Sequence, residues 1–288
     1  MSDASRQRVA FLGPAGTHTD EALRASADGP FEPDPRTTVL DAIMAVQRGE
    51  ADRAVVPIEN SLEGGVAATL DALAGEANDV RIVREVVQPI QHQLVAGRLL
   101  ELAEIDRVLS HPQAVGQCAR FLRERLPHAE VAAASSTAEA VRTVSESDRP
   151  WAALGSRLAA ELYGATVLAE GAEDRADNVT RFVWIARAAD ADDAVGGPAK
   201  TSIVFWGFND ESPGSLVAVL RELSDRGINL TKIESRPRRV SLGHYMFFAD
   251  LEAHVGEPHV QEALTALDGL VRTLRVLGSY PAAPSTGP

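Results

Sequence analysis

The chain has 288 residues, enough for about two domains at the usual one to two hundred residues each. It carries 28 Lys and Arg against 41 Asp and Glu, a formal charge of −13, which argues against a nucleic-acid binder and against attachment to an anionic membrane. The single cysteine, Cys118, excludes an intramolecular disulfide and a cysteine-rich zinc site. Because no export signal and no long apolar run are found, we expect a cytoplasmic protein.

Strands and helices are predicted to alternate over residues 8–187, the pattern of βαβ units with mainly parallel sheets. The predicted strands are Arg8–Leu12, Arg53–Ile58, Ile105–Leu109, Glu130–Ala133 and Trp151–Leu154. The predicted helices are Thr17–Ala27, Thr37–Arg48, Gln113–Leu126, one from Thr137, and Ser156–Tyr163. Two long apolar stretches, Val80–Ala96 and Asn178–Ala186, could each cross between two sheets and so join two lobes around a cleft. One continuous sheet is the alternative.

Composition changes at residues 188–199, where Ala, Asp, Gly and Pro predict a linker. Residues 200–280 then follow the order βαββαβ, which is typical of a ferredoxin-like sandwich. The elements are Lys200–Phe208, the helix Gly214–Arg226, Ile228–Arg236, Gly243–Leu251, the helix Pro258–Leu267, and Val271–Leu277. The Pro-rich and Ala-rich tail, residues 281–288, is expected to be disordered.

Three strand ends are each followed by small polar residues and a predicted helix. The segments are Gly13-Pro14-Ala15-Gly16-Thr17-His18, Glu59-Asn60-Ser61-Leu62-Glu63-Gly64-Gly65 and Ser110-His111-Pro112-Gln113. Each places backbone N–H groups at the carboxyl end of a strand, where open α/β sheets bind ligands and helix N-termini favour anions. Helix capping alone explains any one of them, but their recurrence favours a binding site. Residues 13–17 lack the lysine of a phosphate loop, so no nucleotide site is expected.

A further segment, Asp177–Phe182, has two interpretations that the sequence leaves open. It is an Asx-type turn leading into a strand, or it presents the hydroxyl of Thr180 and the bidentate anion clamp of Arg181. His254 and His259 have no third His or Cys nearby, so no metal site is predicted.

Together these motifs resemble those of prephenate dehydratases. They are Phe11-Leu12-Gly13-Pro14-Ala15-Gly16-Thr17, Val56-Pro57-Ile58-Glu59-Asn60-Ser61, Ser110-His111-Pro112-Gln113 with Gln117, and Asn178-Val179-Thr180-Arg181-Phe182. Near the C-terminus, Pro213-Gly214-Ser215-Leu216-Val217 and Glu234-Ser235-Arg236-Pro237 resemble the two effector motifs of an ACT regulatory domain. The likeness extends from Val9 to about Pro281. The family usually has Ala at the position of Ser215, and we expect no chorismate mutase domain of the kind found in bifunctional relatives.

The resemblance implies an α/β fold: a two-lobed catalytic domain similar to type II periplasmic binding proteins at residues 8–187, then a ferredoxin-like ACT domain at 200–280. It implies conversion of prephenate to phenylpyruvate, carbon dioxide and water in L-phenylalanine biosynthesis. Neither a cofactor nor a metal is expected. Regulation by L-phenylalanine and a homodimer or homotetramer are implied as well.

By the same resemblance, Thr180 lies at the departing hydroxyl. The implied substrate-binding residues are Thr17, Asn60, Ser61, Ser110, His111, Gln117, Arg181 and Phe182. The implied effector-binding residues are Gly214, Ser215, Leu216, Val217, Asn229, Glu234, Ser235, Arg236 and Pro237, the last four contributed by a neighbouring subunit.

Other functions remain open at this point. Arogenate, in which an amino group replaces the keto oxygen of prephenate, would suit the same chemistry, and an intracellular amino-acid-sensing binding protein would have the same cleft. A transcription regulator is disfavoured because only two lysines occur and no basic stretch is found. A dianionic substrate conflicts with the charge of −13 unless local groups hold it, since net charge is screened beyond about 10 Å. The expected local groups are three helix N-termini and Arg181.

Overall fold

The computed structural model describes residues 6–191, 197–208 and 213–284. Residues 192–196 of the predicted linker and 285–288 of the predicted tail lie outside the described residues. The strands are β1 (Gln7–Leu12), β2 (Phe31–Arg36), β3 (Arg53–Asn60), β4 (Gly64–Gly65), β5 (Val80–Pro89), β6 (Gln93–Ala96), β7 (Arg107–Ser110), β8 (Glu130–Ala133), β9 (Trp151–Gly155), β10 (Thr166–Ala169), β11 (Val179–Arg187), β12 (Ala199–Trp206), β13 (Leu230–Pro237), β14 (Tyr245–Leu251) and β15 (Thr273–Pro281).

The α-helices are α1 (His18–Ser26), α2 (Val39–Gln47), α3 (Ala67–Ala74), α4 (Pro112–Gln117), α5 (Ala119–Arg125), α6 (Thr137–Ser145), α7 (Arg157–Tyr163), α8 (Ser215–Ser224) and α9 (Pro258–Leu270). Short 3-10 helices occur at Leu102–Glu104 and Ala188–Asp190. Among the helices of the described residues, none has the length and apolar character that crossing a bilayer requires.

The first lobe is built on a sheet of order β2-β1-β3-β11-β5, with β4 attached to β3. Strands β1, β2 and β3 are parallel, whereas β11 runs antiparallel to β3 and to β5. The sheet is therefore mixed, and the prediction of mainly parallel sheets is wrong here because the chain re-enters this sheet from the second lobe. Sequence patterns missed β2, which contains Pro33 and Pro35, but an edge strand tolerates proline.

The second lobe has the order β10-β6-β9-β7-β8 and is also mixed, since only β7, β8 and β9 are parallel. The predicted crossing within Val80–Ala96 is confirmed, because β5 belongs to the first sheet and β6 to the second. The crossing assigned to Asn178–Ala186 is wrong, since β11 lies wholly in the first sheet and residues 170–178 return the chain to it. Two lobes joined by two connections are thus present within residues 6–191.

The C-terminal sheet has the order β13-β14-β12-β15 and is antiparallel throughout, as the predicted βαββαβ order requires. Helices α8 and α9 cover one face. On the other face, Val204, Phe248 and Tyr280 share a hydrophobic core with Ile82 and Val183 of the first lobe. The two residues after Pro281 are hydrogen-bonded to the rest of the chain. The N–H group of Ala282 donates to the Pro198 carbonyl, and that of Ala283 donates to the Glu85 carboxylate.

Alternation along β11 gives the first sheet two different faces. Phe182 and Trp184 pack on the side of α1. Val183 and Ile185 pack on the side of α2, α3 and the C-terminal sheet. Even-numbered side chains of β11 therefore lie toward α1, and odd-numbered ones lie toward the C-terminal sheet.

Candidate active site

A cleft of about 410 Å³ lies between the two lobes and is lined by both. The predicted site residues that line it are Thr17, Asn60, His111, Gln117, Thr180 and Phe182. Further lining comes from His18, His92, Ser135, Ser136 and Thr137, which are not among the predicted substrate-binding residues.

A hydrogen bond between Asn60 and Thr180 lies on the first-lobe side of this cleft. The Asn60 side-chain amide donates to Thr180 Oγ1 at 2.8 Å and to Asn178 Oδ1 at 2.8 Å. Its carbonyl oxygen accepts from the backbone N–H groups of Leu62 and Glu63, so both ends of the amide are fixed. Since Thr180 Oγ1 accepts from Asn60, its own O–H proton is oriented away from Asn60 and can be donated to a ligand.

A β-bulge at Ile58 brings these two residues together. Asn60 pairs with Thr180 and Glu59 with Arg181, but the next pair is Pro57 with Phe182, which leaves Ile58 as the extra residue. A bulge reverses the facing of the residues beyond it, and bulges next to sites often re-aim side chains in this way. Asn60 and Thr180 consequently face the cleft, whereas Glu59 and Arg181 face the opposite side.

From Asn178 the hydrogen bonds continue into the second lobe. The amide of Asn178 donates to Gln117 Oε1 at 3.2 Å, and the same oxygen lies 3.0 Å from His92 Nε2. Burial, with a smaller contribution from the charge of His18, lowers the pKa of His92 from 6.5 to about 4. His92 is therefore neutral near pH 7 and donates its Nε2 proton to Gln117.

His18 of the first lobe and His92 of the second lobe form a pair at the cleft. Their rings meet edge to face with centroids 5.2 Å apart, and His18 Nδ1 lies 2.8 Å from a Glu21 carboxylate oxygen. Within the described part of the chain, His18 Nε2 and His92 Nδ1 are buried and have no hydrogen-bond partner. No sequence signal would have found the pair, because the fold joins residues from two different lobes.

Three helices begin at the cleft, and two of them, α1 and α4, are among the three that the sequence predicted. Thr17 caps α1, His111 caps α4, and Ser136 caps α6, each side chain accepting a backbone N–H of the first turn. The predicted helix start after β3 is wrong: Asn60 begins a turn, and α3 starts only at residue 67, after a residue that supplies no side-chain cap. The N-terminus of α6 takes that third place.

Three predicted substrate-binding residues do not line the cleft. Ser61 is exposed, and its hydroxyl accepts the Val179 N–H at 3.0 Å. Ser110 is fully buried and donates to the Leu154 carbonyl at 2.8 Å. Arg181 lies on the opposite face of β11, where carboxylates surround its guanidinium. Each side chain instead contacts other groups of the protein.

The predicted effector residues lie in two places, at the start of α8 and in β13 with the residue before it. Gly214 adopts a left-handed conformation, with φ of 88°, immediately before α8, and residues 209–212 of the preceding loop lie outside the described residues. Asn229 donates to Glu252 at 2.7 Å. In the second motif, Glu234 contacts Gly65 of the first lobe, and Arg236 forms a bidentate ion pair with Asp71 at 2.8 and 3.1 Å.

Among the described residues, no group of three or more His, Cys, Asp and Glu side chains is placed to hold a metal ion. The arrangement supplies neutral hydrogen-bond donors and helix N-termini around a partly apolar cleft, with Phe182 and Ile90 in its lining. Such a site suits a small anionic ligand with an unsaturated ring or chain.

Comparison with known proteins gives two family matches. A family profile described as prephenate dehydratase matches residues 9–190, and one described as ACT domain matches residues 202–269. A prephenate dehydratase of Amycolatopsis methanolica is 40% identical over 274 residues, which cover 95% of this chain and 88% of the relative.

Two solved structures are similar over most of the chain. The prephenate dehydratase of Arthrobacter aurescens, in complex with L-Phe, has a TM-score of 0.87 at 41% identity, covering 96% of this chain and 90% of that one. A protein described as GqqA, a novel type of quorum quenching acylase, has a TM-score of 0.85 at 33% identity, covering 96% and 99%.

Proposed function

The chain belongs to the prephenate dehydratase family, and we propose that it is a lyase that converts prephenate to phenylpyruvate, carbon dioxide and water. L-phenylalanine regulates this activity through the C-terminal ACT domain. The observation that carries the catalytic proposal is the Asn60–Thr180 hydrogen bond, which orients a hydroxyl donor at the wall of the cleft.

The reaction makes particular demands on the protein. The ring carboxylate of prephenate leaves as carbon dioxide, its bonding electrons enter the ring, and the hydroxyl across the ring departs with one proton as water. Aromatisation supplies the driving force. The protein must therefore hold two carboxylates, keep water from the one that is lost, and stabilise charge on the departing oxygen.

Thr180 is proposed to meet the last demand. Its hydroxyl donates a hydrogen bond to the departing oxygen, where negative charge develops only in the transition state. Asn60 fixes the rotamer of that hydroxyl by donating to Oγ1. The first turns of α1, α4 and α6 are proposed to receive the carboxylates, assisted by Thr17, His111 and Gln117, and Phe182 contacts the ring.

Replacing Thr180 tests this assignment. Thr180→Ala should lower kcat by roughly a hundredfold or more with little change in KM, and Thr180→Ser should retain much of the activity. Thr265→Ala, which removes an exposed hydroxyl from α9, is the matched control and should leave kcat unchanged. Near-normal turnover by the Thr180→Ala variant would refute the assignment.

The substrate is tested by an ultraviolet assay for phenylpyruvate, with prephenate and arogenate compared and phenylalanine added or omitted. Product from prephenate supports the proposal, and product from arogenate alone would assign the related dehydratase. Absence of product from both would favour an amino-acid-sensing binding protein. Activity that stays constant over millimolar phenylalanine, without calorimetric binding, would count against regulation by this amino acid.

A homodimer or homotetramer in the cytoplasm completes the proposal, with the effector bound where the start of α8 and Asn229 meet the Glu234–Pro237 segment of a neighbouring subunit. β13 is an edge strand of the C-terminal sheet and exposes Ile233, and Val217 on α8 is exposed as well. Unpaired strand edges and exposed apolar residues of this kind are typical of subunit contacts. Light scattering after size-exclusion chromatography tests the assembly, and a monomer at assay concentration would contradict it. Cell fractionation, with the protein detected in each fraction, tests the cytoplasmic location.

A further inference from the structure

Seven charged side chains lie between the first lobe and the C-terminal sheet, and we call them the interface charge cluster. The first lobe contributes Glu59, Glu85 and Arg181, and the C-terminal sheet contributes Lys200, Lys232, Glu234 and Asp250. Lys200 and Lys232 are the only lysines of the chain. Apart from the partly exposed Glu59 and Glu234, the side chains are largely buried.

Arg181 is the centre of this cluster. Its guanidinium contacts Glu59 at 2.9 Å, Glu85 at 3.1 Å and Asp250 at 2.7 Å. Only 9% of the Arg181 side chain and 7% of the Asp250 side chain are exposed. Burial alone would lower the pKa of Arg181, but the charges of these three carboxylates outweigh it and raise the pKa above its usual value. Arg181 is therefore permanently charged and is held from both sides of the interface.

Asp250 and Glu85, two of these three carboxylates, are themselves tied to the C-terminal sheet. Ser202 donates to the second oxygen of Asp250 at 2.6 Å, and the Tyr280 hydroxyl lies 2.7 Å from Ser202. Lys200 donates to both oxygens of Glu85 at 2.7 and 2.8 Å. A shift of the C-terminal sheet would therefore move charges that contact Arg181 directly.

The cluster also contacts both strands that carry the proposed catalytic pair. Arg181 directly follows Thr180 on β11, and Glu59 directly precedes Asn60 on β3. The bulge at Ile58 places Asn60 and Thr180 on one face and Glu59 and Arg181 on the other. Lys232 of the C-terminal sheet lies 3.5 Å from Glu59. Each member of the catalytic pair is thus one peptide away from a residue held by the C-terminal sheet.

We propose that Arg181 is a positioning residue for Thr180 and that Asp250 of the C-terminal sheet fixes its place. The proposal rests on the proposed function, because the effect on Thr180 is observed through prephenate turnover. A displacement of Arg181 rotates or shifts the peptide that joins it to Thr180, and this changes the position and direction of the Thr180 hydroxyl. Since that hydroxyl acts in the transition state, the loss falls on kcat rather than on KM.

The test removes one charge of the cluster without touching the cleft. Asp250→Asn should lower kcat between about 3-fold and 30-fold while KM changes less than about 2-fold. Asp28→Asn is the matched control, because it breaks an Asp–Arg pair with Arg84 on the α1 side of the same sheet, where Asp28 is 89% exposed. This control should keep the wild-type kcat.

A double-mutant cycle separates positioning from general damage. If Asp250 acts through the Thr180 hydroxyl, Asp250→Asn should cause no further loss of kcat in a Thr180→Ala background. An equal loss in both backgrounds, or no loss in the wild-type background, overturns the proposal. If Asp250→Asn does not fold by circular dichroism, Lys232→Gln takes its place, with the same pattern expected because it removes the cation next to Glu59.

Chemical labelling tests the interface independently of turnover. Because Lys200 and Lys232 are the only lysines, the extent of lysine acetylation by acetic anhydride, measured at each site by mass spectrometry, reports on this contact. Both amines should be acetylated far more slowly in the folded enzyme than in urea. Fast acetylation of both in the folded wild type overturns the proposal even if prephenate is turned over. Slow acetylation in a protein that does not convert prephenate overturns the proposed function instead.

Discussion

The buried neutral His92 leads to a prediction about acid stability. The unfolded chain binds a proton at the ordinary pKa of 6.5, whereas the folded protein does so only at about 4, because the site is desolvated. Stability is therefore complete above the unfolded pKa and decreases as the pH falls toward the folded one. At pH values below both, the penalty is about 3 kcal/mol, and near pH 5 it is about 2 kcal/mol.

The perturbation is a change from about pH 8 to about pH 5, compared between the wild type and His92→Gln. Other titrating groups contribute equally to both proteins, so the difference in unfolding free energy isolates His92. Urea denaturation should show that the wild type loses about 2 kcal/mol more than the variant over this range. A direct NMR titration of the His92 ring gives the same quantity from the native state.

Two results would refute this reasoning. If the ring of His92 titrates near 6.5 in the folded protein, water reaches the ring and the cleft at His92 is more open than in the structure. If both proteins lose the same free energy on acidification, His92 does not contribute to acid sensitivity. Protonation of His92 keeps the Nε2–H donor to Gln117 but places a charge in the desolvated cleft, so a decline of turnover caused by this protonation should occur near pH 4 and not near 6.5.

The remaining predictions concern packing and electrostatics. Gly278→Ala should lower the melting temperature by several degrees, because a Cβ there would overlap the backbone of Ile82, whereas Gly269→Ala, with open space in α9, should be neutral or slightly stabilising. Ser110→Ala should cost about 1 kcal/mol of stability with KM nearly unchanged, since its hydroxyl donates to Leu154; a large rise in KM would restore it to the substrate-binding set. The KM for prephenate should rise less than about twofold between about 50 and about 200 mM salt, because screening weakens the global repulsion together with the local attraction; a steep rise would indicate a basic entrance to the cleft.

Much of the fold follows from periodicity, and the failures have local physical causes. The edge strand β2 was missed because Pro33 and Pro35 normally argue against a strand, yet its outer side needs no ladder hydrogen bonds. Cys118 divides the predicted helix Gln113–Leu126 into α4 and α5, with a backbone conformation outside the helical region. Whether two strands pair in parallel or antiparallel depends on where the chain returns from the other lobe. A local sequence pattern does not contain this information.

The site could be predicted for residues whose role depends on their neighbours in the chain. It could not be predicted for residues whose role depends on which face of a strand their side chain occupies. Thr17 caps α1 as its position after β1 suggests. Arg181 was expected beside the substrate, but strict alternation from Thr180 places it on the other face. The relation of Asn60 to Thr180 depends on one extra residue at Ile58, and Pro57 is the only sequence sign that β3 is irregular there.

The charge of the interface has a consequence for how the C-terminal sheet can move. Three cations and four carboxylates form the interface charge cluster, and apolar residues of similar size would hold the two parts together at least as strongly. The charges instead restrict the arrangements that the two parts can adopt, since a displacement that separated Asp250 from Arg181 would leave two buried charges without compensation. The two parts therefore have few acceptable arrangements, and intermediate ones are disfavoured. A ligand that favours one arrangement of the C-terminal sheet must then shift Arg181 in steps rather than gradually, and Thr180 with it. For that reason Asp250→Asn should weaken the response to phenylalanine together with kcat, whereas a purely apolar interface would allow the two effects to be separated.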